Sequence, residues 1–181
     1  AENGRAVAGL EIVSQLLEKA PADTSLYTLY ADLAARSGKL EDAIQQLNRG
    51  IRQVDDATTL RLQLATLVDV QGRTADAAKI LQEAFEQEES ESRRMEIFRR
   101  QVDAAQRSGK LDDLIAGLRE KQLREQNGAR YGTYLAEIFL AQDDYLAARD
   151  ELTRSLGRSP DNPAAIARLI DLAERGGDRD E

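Results

Sequence analysis

One short segment occurs twice in this chain, so the chain contains a copy of part of itself. Residues 36–44 have the sequence RSGKLEDAI, and residues 107–115 have the sequence RSGKLDDLI. Similar turn residues recur along the whole chain at spacings of 34, 34, 37, 34 and 34 residues. These residues are Gly4, Gly38, Gly72, Gly109, Asp143 and Gly177. Repeats of this length are typical of arrays in which each repeat contributes one pair of α-helices.

Apolar residues recur at three- and four-residue intervals on both sides of the turns, as expected for amphipathic helices. Around Gly38 this pattern predicts an A helix over residues 25–36 and a B helix over residues 40–54. Gly38 is expected to end the A helix in a left-handed backbone conformation, which disfavours residues that carry a β-carbon. The same arrangement at the other turns predicts an all-α chain of about ten helices.

The turn spacing predicts a single array over residues 1–181 that begins and ends halfway through a repeat, as expected for a segment of a longer array. Three extra residues precede Gly109, within the charged stretch 86–94, and either a longer B helix or a longer loop would accommodate them. The predicted boundaries are 1–22 for a first half repeat, 23–56, 57–93, 94–128 and 129–162 for four full repeats, and 163–181 for a last half repeat.

The composition argues against several classes of function. The chain has no cysteine and no histidine, which removes thiolate chemistry, the usual general base and the commonest metal ligands. Its 33 acidic residues outnumber its 25 basic residues, and the net charge of -8 disfavours nucleic acid and favours basic partners. No uninterrupted apolar run approaches the length of a membrane helix, roughly 20 residues. We therefore expect no enzymatic activity and no membrane insertion of this segment.

Two local motifs have simpler explanations than ligand binding. The string at residues 37–39, Ser-Gly-Lys, occurs in phosphate-binding loops, but Leu33 occupies the position where such a loop requires glycine. The acidic pair Asp112 and Asp113 lacks the alternating oxygen ligands and the glycine of a calcium loop. Carboxylates at this position stabilise the start of a helix. We predict no nucleotide, no cofactor and no metal site.

The first full repeat has aromatic residues Tyr27 and Tyr30, the small residue Ala31, the turn residue Gly38 and the small residue Ala43. The residues that carry the pattern are Ala65, Gly72, Ala77 and Ala84 in the second repeat, and Ala136, Tyr145, Ala148 and Pro160 in the fourth. In this pattern the chain resembles the tetratricopeptide repeat (TPR) family. The resemblance implies an α-solenoid, a right-handed superhelix of stacked antiparallel helix pairs. Its concave surface would be lined by A helices and would bind a peptide or a partner protein.

Residues one period apart form a column on the A-helix side that the resemblance assigns to the concave groove. The column contains Asp32, Thr66, Asp103, Glu137 and Asp171. Because four of its five members are acidic, it favours a basic or amide-rich peptide, with Arg99 and Arg130 restricting which peptides fit. An alternative is that arginines four residues later pair with Asp32, Asp103 and Asp171, which stabilises a helix by about 0.2 to 0.5 kcal/mol. Glu137 has no such arginine in its own helix.

Two functions follow from this architecture. The favoured one is a scaffold for protein–protein interaction, and the alternative is a structural spacer or self-assembly element of a larger multidomain protein. The last helix is expected to expose Ile166, Leu169, Ile170 and Leu172, because internal repeats cover such faces in a helical array. These residues predict weak self-association through the ends.

Overall fold

The computed structural model describes residues 2–125 and 128–177, and these residues form ten α-helices and no β-strand. The helices are α1 (Glu2–Lys19), α2 (Thr24–Arg36), α3 (Leu40–Ile51), α4 (Thr58–Val70), α5 (Thr74–Gln87), α6 (Glu91–Ser108), α7 (Leu111–Arg124), α8 (Arg130–Ala141), α9 (Tyr145–Arg158) and α10 (Pro163–Gly177). The predicted all-α fold class is confirmed.

The chain divides into two compact units, Ala1–Ile97 and Phe98–Glu181. In the first unit each of the helices α1 to α4 packs against the next helix in sequence. In the second unit α7 packs against α8, α8 against α9, and α9 against α10. Each unit is therefore a stack of helical hairpins, and α2, α4, α6, α8 and α10 occupy the A positions.

The hairpin turns have equivalent backbone conformations. Gly38, Gly72 and Gly109 have φ angles of 73°, 78° and 68°, and Asp143 has a φ angle of 59°. At the first turn the amide of Lys39 donates to the carbonyl of Ala34 at 2.8 Å, which satisfies one of the last carbonyls of α2. Aspartate replaces glycine at the fourth turn because short polar residues tolerate this conformation better than other side chains do.

The turn assignment is wrong at Gly4, which lies inside α1. Gly177 is the last residue of α10, and the residues that would continue a turn there lie outside the described residues. In addition, α3 ends at Ile51 and not at residue 54, because the amides of Gln53 and Val54 both turn back to the carbonyl of Gly50. The spacing of the turns therefore located the internal hairpins but not the ends of every helix.

The three extra residues lengthen an A helix, which neither predicted alternative anticipated. Helix α6 has 18 residues, whereas α2 and α4 have 13 each. Residues 88–90 form a short linker, in which the carboxylate of buried Glu88 accepts a hydrogen bond from the amide of Ser90 at 2.8 Å. Arg94 donates to the carbonyl of Glu88, so the charged stretch folds back on itself and starts α6 early.

The predicted apolar stripes form the cores of both units, but the end helices differ from the prediction. In α10, Leu169 and Leu172 pack against a cluster formed by α8 and α9, so they are not exposed as predicted. Ile166 and Ile170 are 40% and 53% exposed, as predicted. In α1, Leu10, Val13 and Leu17 are buried, whereas Val7 and Leu16 are exposed.

Asp56 stabilises the start of α4. Its Oδ1 accepts the backbone amide of Thr58 at 3.0 Å, and its Oδ2 pairs with Arg93 at 2.9 Å. Both contacts hold the pKa of Asp56 below its ordinary value, and the hydrogen bond from the Thr58 amide has the larger effect. A group with a lowered pKa contributes its stability above the unfolded-state pKa and loses it as the pH falls through the folded-state pKa.

We therefore expect Asp56→Ala to lower the free energy of unfolding by about 1 kcal/mol at pH 7, as for loss of a helix cap. The difference from the parent should shrink below about pH 4, where aspartate begins to protonate in the unfolded chain. Urea denaturation across this pH range measures the effect. The adjacent exposed Asp55→Ala variant is the control and should change stability by less than about 0.5 kcal/mol. Equal effects of the two variants would contradict the assignment.

Candidate functional site

Within the second unit, residues of the A helices α6, α8 and α10 surround an open depression of about 500 Å³. Its lining residues are Arg99, Val102, Asp103, Glu137, Leu140, Ala141 and Arg168. Val102 is buried at the base, Leu140 is half-buried, and Arg99, Asp103 and Ala141 are exposed. We call this depression the A-helix groove. It combines an apolar base with charged groups that solvent reaches.

Glu137 is the most buried charged residue of the groove, at 9% exposure. Its Oε1 accepts a hydrogen bond from Nε of Arg99 at 2.5 Å. Its Oε2 lies 2.9 Å from Nη2 of Arg168, an ion pair in which the atoms are not aligned for a hydrogen bond. Arg168 also donates from Nη1 to Asp171 at 3.3 Å. The charge of Glu137 is therefore neutralised by arginines from the two neighbouring A helices.

A related contact occurs in the first unit. Nε2 of Gln63 in α4 donates to Oδ1 of Asp32 in α2 at 2.6 Å. Asp32 and Gln63 are 31 residues apart, as are Glu137 and Arg168, and both pairs join one A helix to the next. The acidic column therefore supplies acceptors for side chains of the following repeat.

The structure brings together three of the predicted site residues, namely Arg99, Asp103 and Glu137. Asp171 does not line the groove but is linked to it through Arg168. As expected from the sequence, Glu137 has no arginine partner in its own helix. Its two arginine partners come from the helices α6 and α10. The groove therefore contains both signs of charge rather than a row of free carboxylates.

The remaining predicted site residues lie elsewhere. Asp32 and Thr66 belong to the first unit, where Thr66 donates to the carbonyl of Leu62 in its own helix. The expected pairing of Asp32 with Arg36 is wrong, because within the described part of the chain the partner of Asp32 is the Gln63 amide. The side chain of Arg175, the expected partner of Asp171, lies outside the described residues.

Arg130 lies at the start of α8 and not in the A-helix groove. Its Nη2 donates to the hydroxyl of Tyr131 at 2.7 Å and to the carboxylate of Glu125 at 3.0 Å. The Tyr131 hydroxyl also donates to Glu125 at 2.7 Å, which lowers the pKa of that carboxyl. Burial raises the pKa of Tyr131. This network connects the end of α7 to the start of α8. The contacts of Arg130 therefore join these two helices and do not contribute to the A-helix groove.

Sequence reasoning missed Arg168 and the apolar base of the groove, Val102 and Leu140. Arg168 follows Glu137 by the same 31 residues that separate Gln63 from Asp32, but this interval becomes a signal only once the Asp32–Gln63 contact is known. Val102 and Leu140 gave no separate signal, since apolar residues at helical spacing are indistinguishable from core residues in sequence.

The described ranges contain neither a metal-binding cluster nor a membrane-spanning helix. Residues 2–125 and 128–177 contain no group of three or more acidic side chains placed to hold a metal ion. None of the helices described is both long enough and apolar enough to cross a bilayer.

Comparison with solved structures identifies the class of fold. The chain is similar to BtubC (BKLC) from P. vanneervenii, with 18% identity, a TM-score of 0.53, and coverage of 98% of this chain and 84% of that one. It is also similar to MamA, with 12% identity, a TM-score of 0.51, and coverage of 87% and 90% respectively.

YrrB, described as a TPR protein with an unusual peptide-binding site, gives 15% identity and a TM-score of 0.48, with coverage of 92% of this chain and 84% of that one. No family model matches the chain, and no curated protein matches it. The ordered hairpins and their left-handed turns, together with the similarity to BtubC and MamA, define a TPR-like helical-repeat fold.

Proposed function

We propose that this chain is a scaffold for protein–protein interaction and that its second unit binds a peptide segment of a partner protein in the A-helix groove. The observation that supports this proposal is the groove itself, with its apolar base at Val102 and Leu140 and exposed charges at Arg99 and Asp103. Peptide sites commonly combine apolar contacts with a few polar groups that fix orientation. The groove has both.

The charges of the groove favour particular peptide side chains. Glu137 is neutralised by two arginines, so it contributes little attraction to a ligand. Asp103 is the carboxylate of the groove lining that remains exposed, and we propose that it contacts a basic or amide side chain of the peptide. Arg99 uses Nε to bind Glu137, which leaves its terminal nitrogens able to donate to peptide carbonyls.

A steric test uses peptides that are selected from a random display library because they bind the unmodified protein. We expect Ala141→Trp to weaken their binding by about tenfold or more, because a bulky side chain at the exposed rim occupies the groove. The matched control is Ala75→Trp on the exposed face of α5, which should leave affinity unchanged. Fluorescence anisotropy with labelled peptides measures both. If no peptide is enriched, or if both variants bind equally well, the groove is not the binding site.

A charge test separates the role of Asp103 from that of overall charge. Asp103→Lys should weaken binding of the selected peptides by about tenfold at low salt, and less at high salt, because exposed charges are screened. Glu83→Lys places the same charge change on an exposed position of α5 and is the control. If Asp103→Lys has no effect and the parent affinity is independent of salt, Asp103 does not select basic or amide side chains.

A further inference from the structure

The C-terminal parts of α7 and α9 carry an excess of basic residues. Residues 119–124 and 149–158 contain six basic and three acidic side chains, whereas the whole chain has a net charge of -8. Both helices occupy B positions, so these residues do not belong to the helices that line the A-helix groove. Their charge attracts acidic groups, in contrast to the basic or amide side chains proposed for the groove.

Two of the arginines share one buried carboxylate. Glu151 of α9 is 2% exposed, and its Oε1 lies 2.5 Å from Nη1 of Arg154 on the same helix. Nη1 of Arg119 on α7 contacts the same oxygen. The side chains of Arg119 and Arg154 are 38% and 50% exposed. One negative charge therefore holds two guanidinium groups together at the surface, and their Nη2 groups can donate to a ligand.

A third arginine extends this pair along the seam between α7 and α9. Nη1 of Arg158 donates to the backbone carbonyl of Gln122 in α7 at 3.1 Å. Arg158 follows Arg154 by four residues, so both side chains lie on the flank of α9 that faces α7. Because the partner of Arg158 within the described residues is a carbonyl group and not a carboxylate, its positive charge is not neutralised.

An exposed leucine lies beside these arginines. Leu123 follows Arg119 by four residues and therefore lies on the same flank of α7. At 76% exposure, Leu123 is the most exposed large apolar side chain among the residues that the structure describes. A single exposed leucine is common, but beside three arginines it adds an apolar contact to a charged surface. We call Arg119, Leu123, Arg154 and Arg158 the α7–α9 surface.

We propose that the α7–α9 surface binds a short segment of a partner protein in which acidic residues flank an apolar side chain. Carboxylates of the segment accept hydrogen bonds from Arg119 and Arg154, and such charge-assisted bonds are stronger than bonds between neutral groups. The apolar side chain of the segment covers Leu123. A short segment fits better than nucleic acid or an anionic lipid surface, because repulsion by the net charge of -8 grows with the charge of the ligand.

This inference is independent of peptide binding in the A-helix groove. None of the four residues of the α7–α9 surface lines the groove. The groove is proposed to select basic or amide side chains, which the arginines of the α7–α9 surface do not attract. The Ala141→Trp variant should therefore bind an acidic peptide as the parent does. Loss of that binding in Ala141→Trp would place the acidic peptide in the groove and would overturn the proposal.

The probe is a labelled pentapeptide, Glu-Glu-Leu-Glu-Glu, which is titrated into the 181-residue chain. We expect saturable shifts of the Leu123 methyl resonances in NMR spectra. Binding should weaken as salt is added, because salt screens exposed ion pairs. The matched probe has lysine in place of each glutamate and should leave Leu123 unchanged. Shifts of equal or greater size with the lysine peptide, or no shift with the glutamate peptide, would overturn the proposal.

A pair of charge variants locates the contact on α9. Arg154→Gln removes one positive charge but keeps an amide donor for Glu151, and it should weaken binding of the glutamate peptide by about fivefold at low salt. Arg149→Gln makes the same change of charge on the other flank of the same helix, where Arg149 is also exposed. It should change affinity by less than about twofold, because salt screens distant charges. Equal effects of the two variants would contradict the assignment.

A second pair of variants tests the apolar contact. Leu123→Ser should weaken binding of the glutamate peptide by about fivefold, because the peptide leucine then has no apolar side chain to cover. Leu146→Ser, at a position 66% exposed near the start of α9, is the control and should bind like the parent. Circular dichroism confirms that both variants are folded, as expected for exposed positions. Unchanged affinity in Leu123→Ser would overturn the proposed contact.

Vesicles that contain phosphatidylserine distinguish a protein segment from a lipid surface. We expect the chain to remain in the supernatant when such vesicles are sedimented at physiological salt. Sedimentation of the chain with the vesicles, together with no binding of the glutamate peptide, would assign the α7–α9 surface to lipid and would overturn the proposal.

Discussion

Replacement of Gly50 by leucine is expected to destabilise the first unit by about 3 kcal/mol or more, at the upper end of overpacking effects. A β-carbon at Gly50 would lie 2.6 Å from Cγ of Tyr27 and 2.8 Å from Cδ1 of Leu60. Both of these side chains are fully buried, so neither can move aside without disturbing the core. Loss of this close approach between α2, α3 and α4 should lower the midpoint of urea denaturation.

Gly117 provides the control for this substitution. It also lies within a helix, but no atom is within 4 Å of a β-carbon placed there. Gly117→Leu should therefore be neutral or stabilising by up to about 1 kcal/mol, because glycine is a poor helix former. If Gly50→Leu is as stable as Gly117→Leu, the packing of Tyr27 against α3 is not as described.

The second large effect is expected for Glu137→Ala, which should lower the free energy of unfolding by about 2 to 3 kcal/mol. Removing one partner of a buried ion pair typically costs about 3 to 5 kcal/mol, and the access of both arginines to solvent reduces that cost. Arg168 is 23% exposed at its side chain and Arg99 is 50% exposed. Glu137→Ala therefore leaves two guanidinium groups close together without the carboxylate that separates them.

Asp103→Ala is the matched control, because Asp103 lies in the same groove but is exposed. It should change stability by less than about 0.5 kcal/mol. Adding Arg168→Ala to Glu137→Ala should recover part of the loss, since the uncompensated charge of Arg168 is then absent. Urea denaturation of the parent and these three variants provides the values. A loss for Glu137→Ala no larger than that for Asp103→Ala would contradict a structural role for the Glu137 ion pairs.

The hairpins were predictable from sequence because their determinants are local. A left-handed turn favours glycine whatever the rest of the chain does, so Gly38, Gly72 and Gly109 marked the turns correctly. The ends of the helices depend on contacts that local patterns do not contain. Helix α6 begins early because buried Glu88 and Arg94 form bonds across the linker, and charged residues in sequence look like solvent-exposed ones.

The candidate site was only partly predictable for a related reason. The register placed Asp103 and Glu137 on the same side of consecutive A helices, and Arg99 was recognised as their neighbour. The partners of Glu137 come from α6 and α10, and such a pairing requires knowledge of how A helices pack side by side. Helical spacing within one segment predicts contacts three or four residues apart, and it does not predict contacts 31 residues apart.

Methyl NMR of the chain with a selected peptide tests the central claim most directly. Val102 and Leu140 line the A-helix groove, whereas Leu123 is an exposed residue of α7 outside it. The account predicts saturable shifts of the Val102 and Leu140 methyl resonances during titration, no shift at Leu123, and loss of these changes in Ala141→Trp. Shifts at Leu123 with unchanged Val102 and Leu140 resonances would contradict peptide binding in the groove.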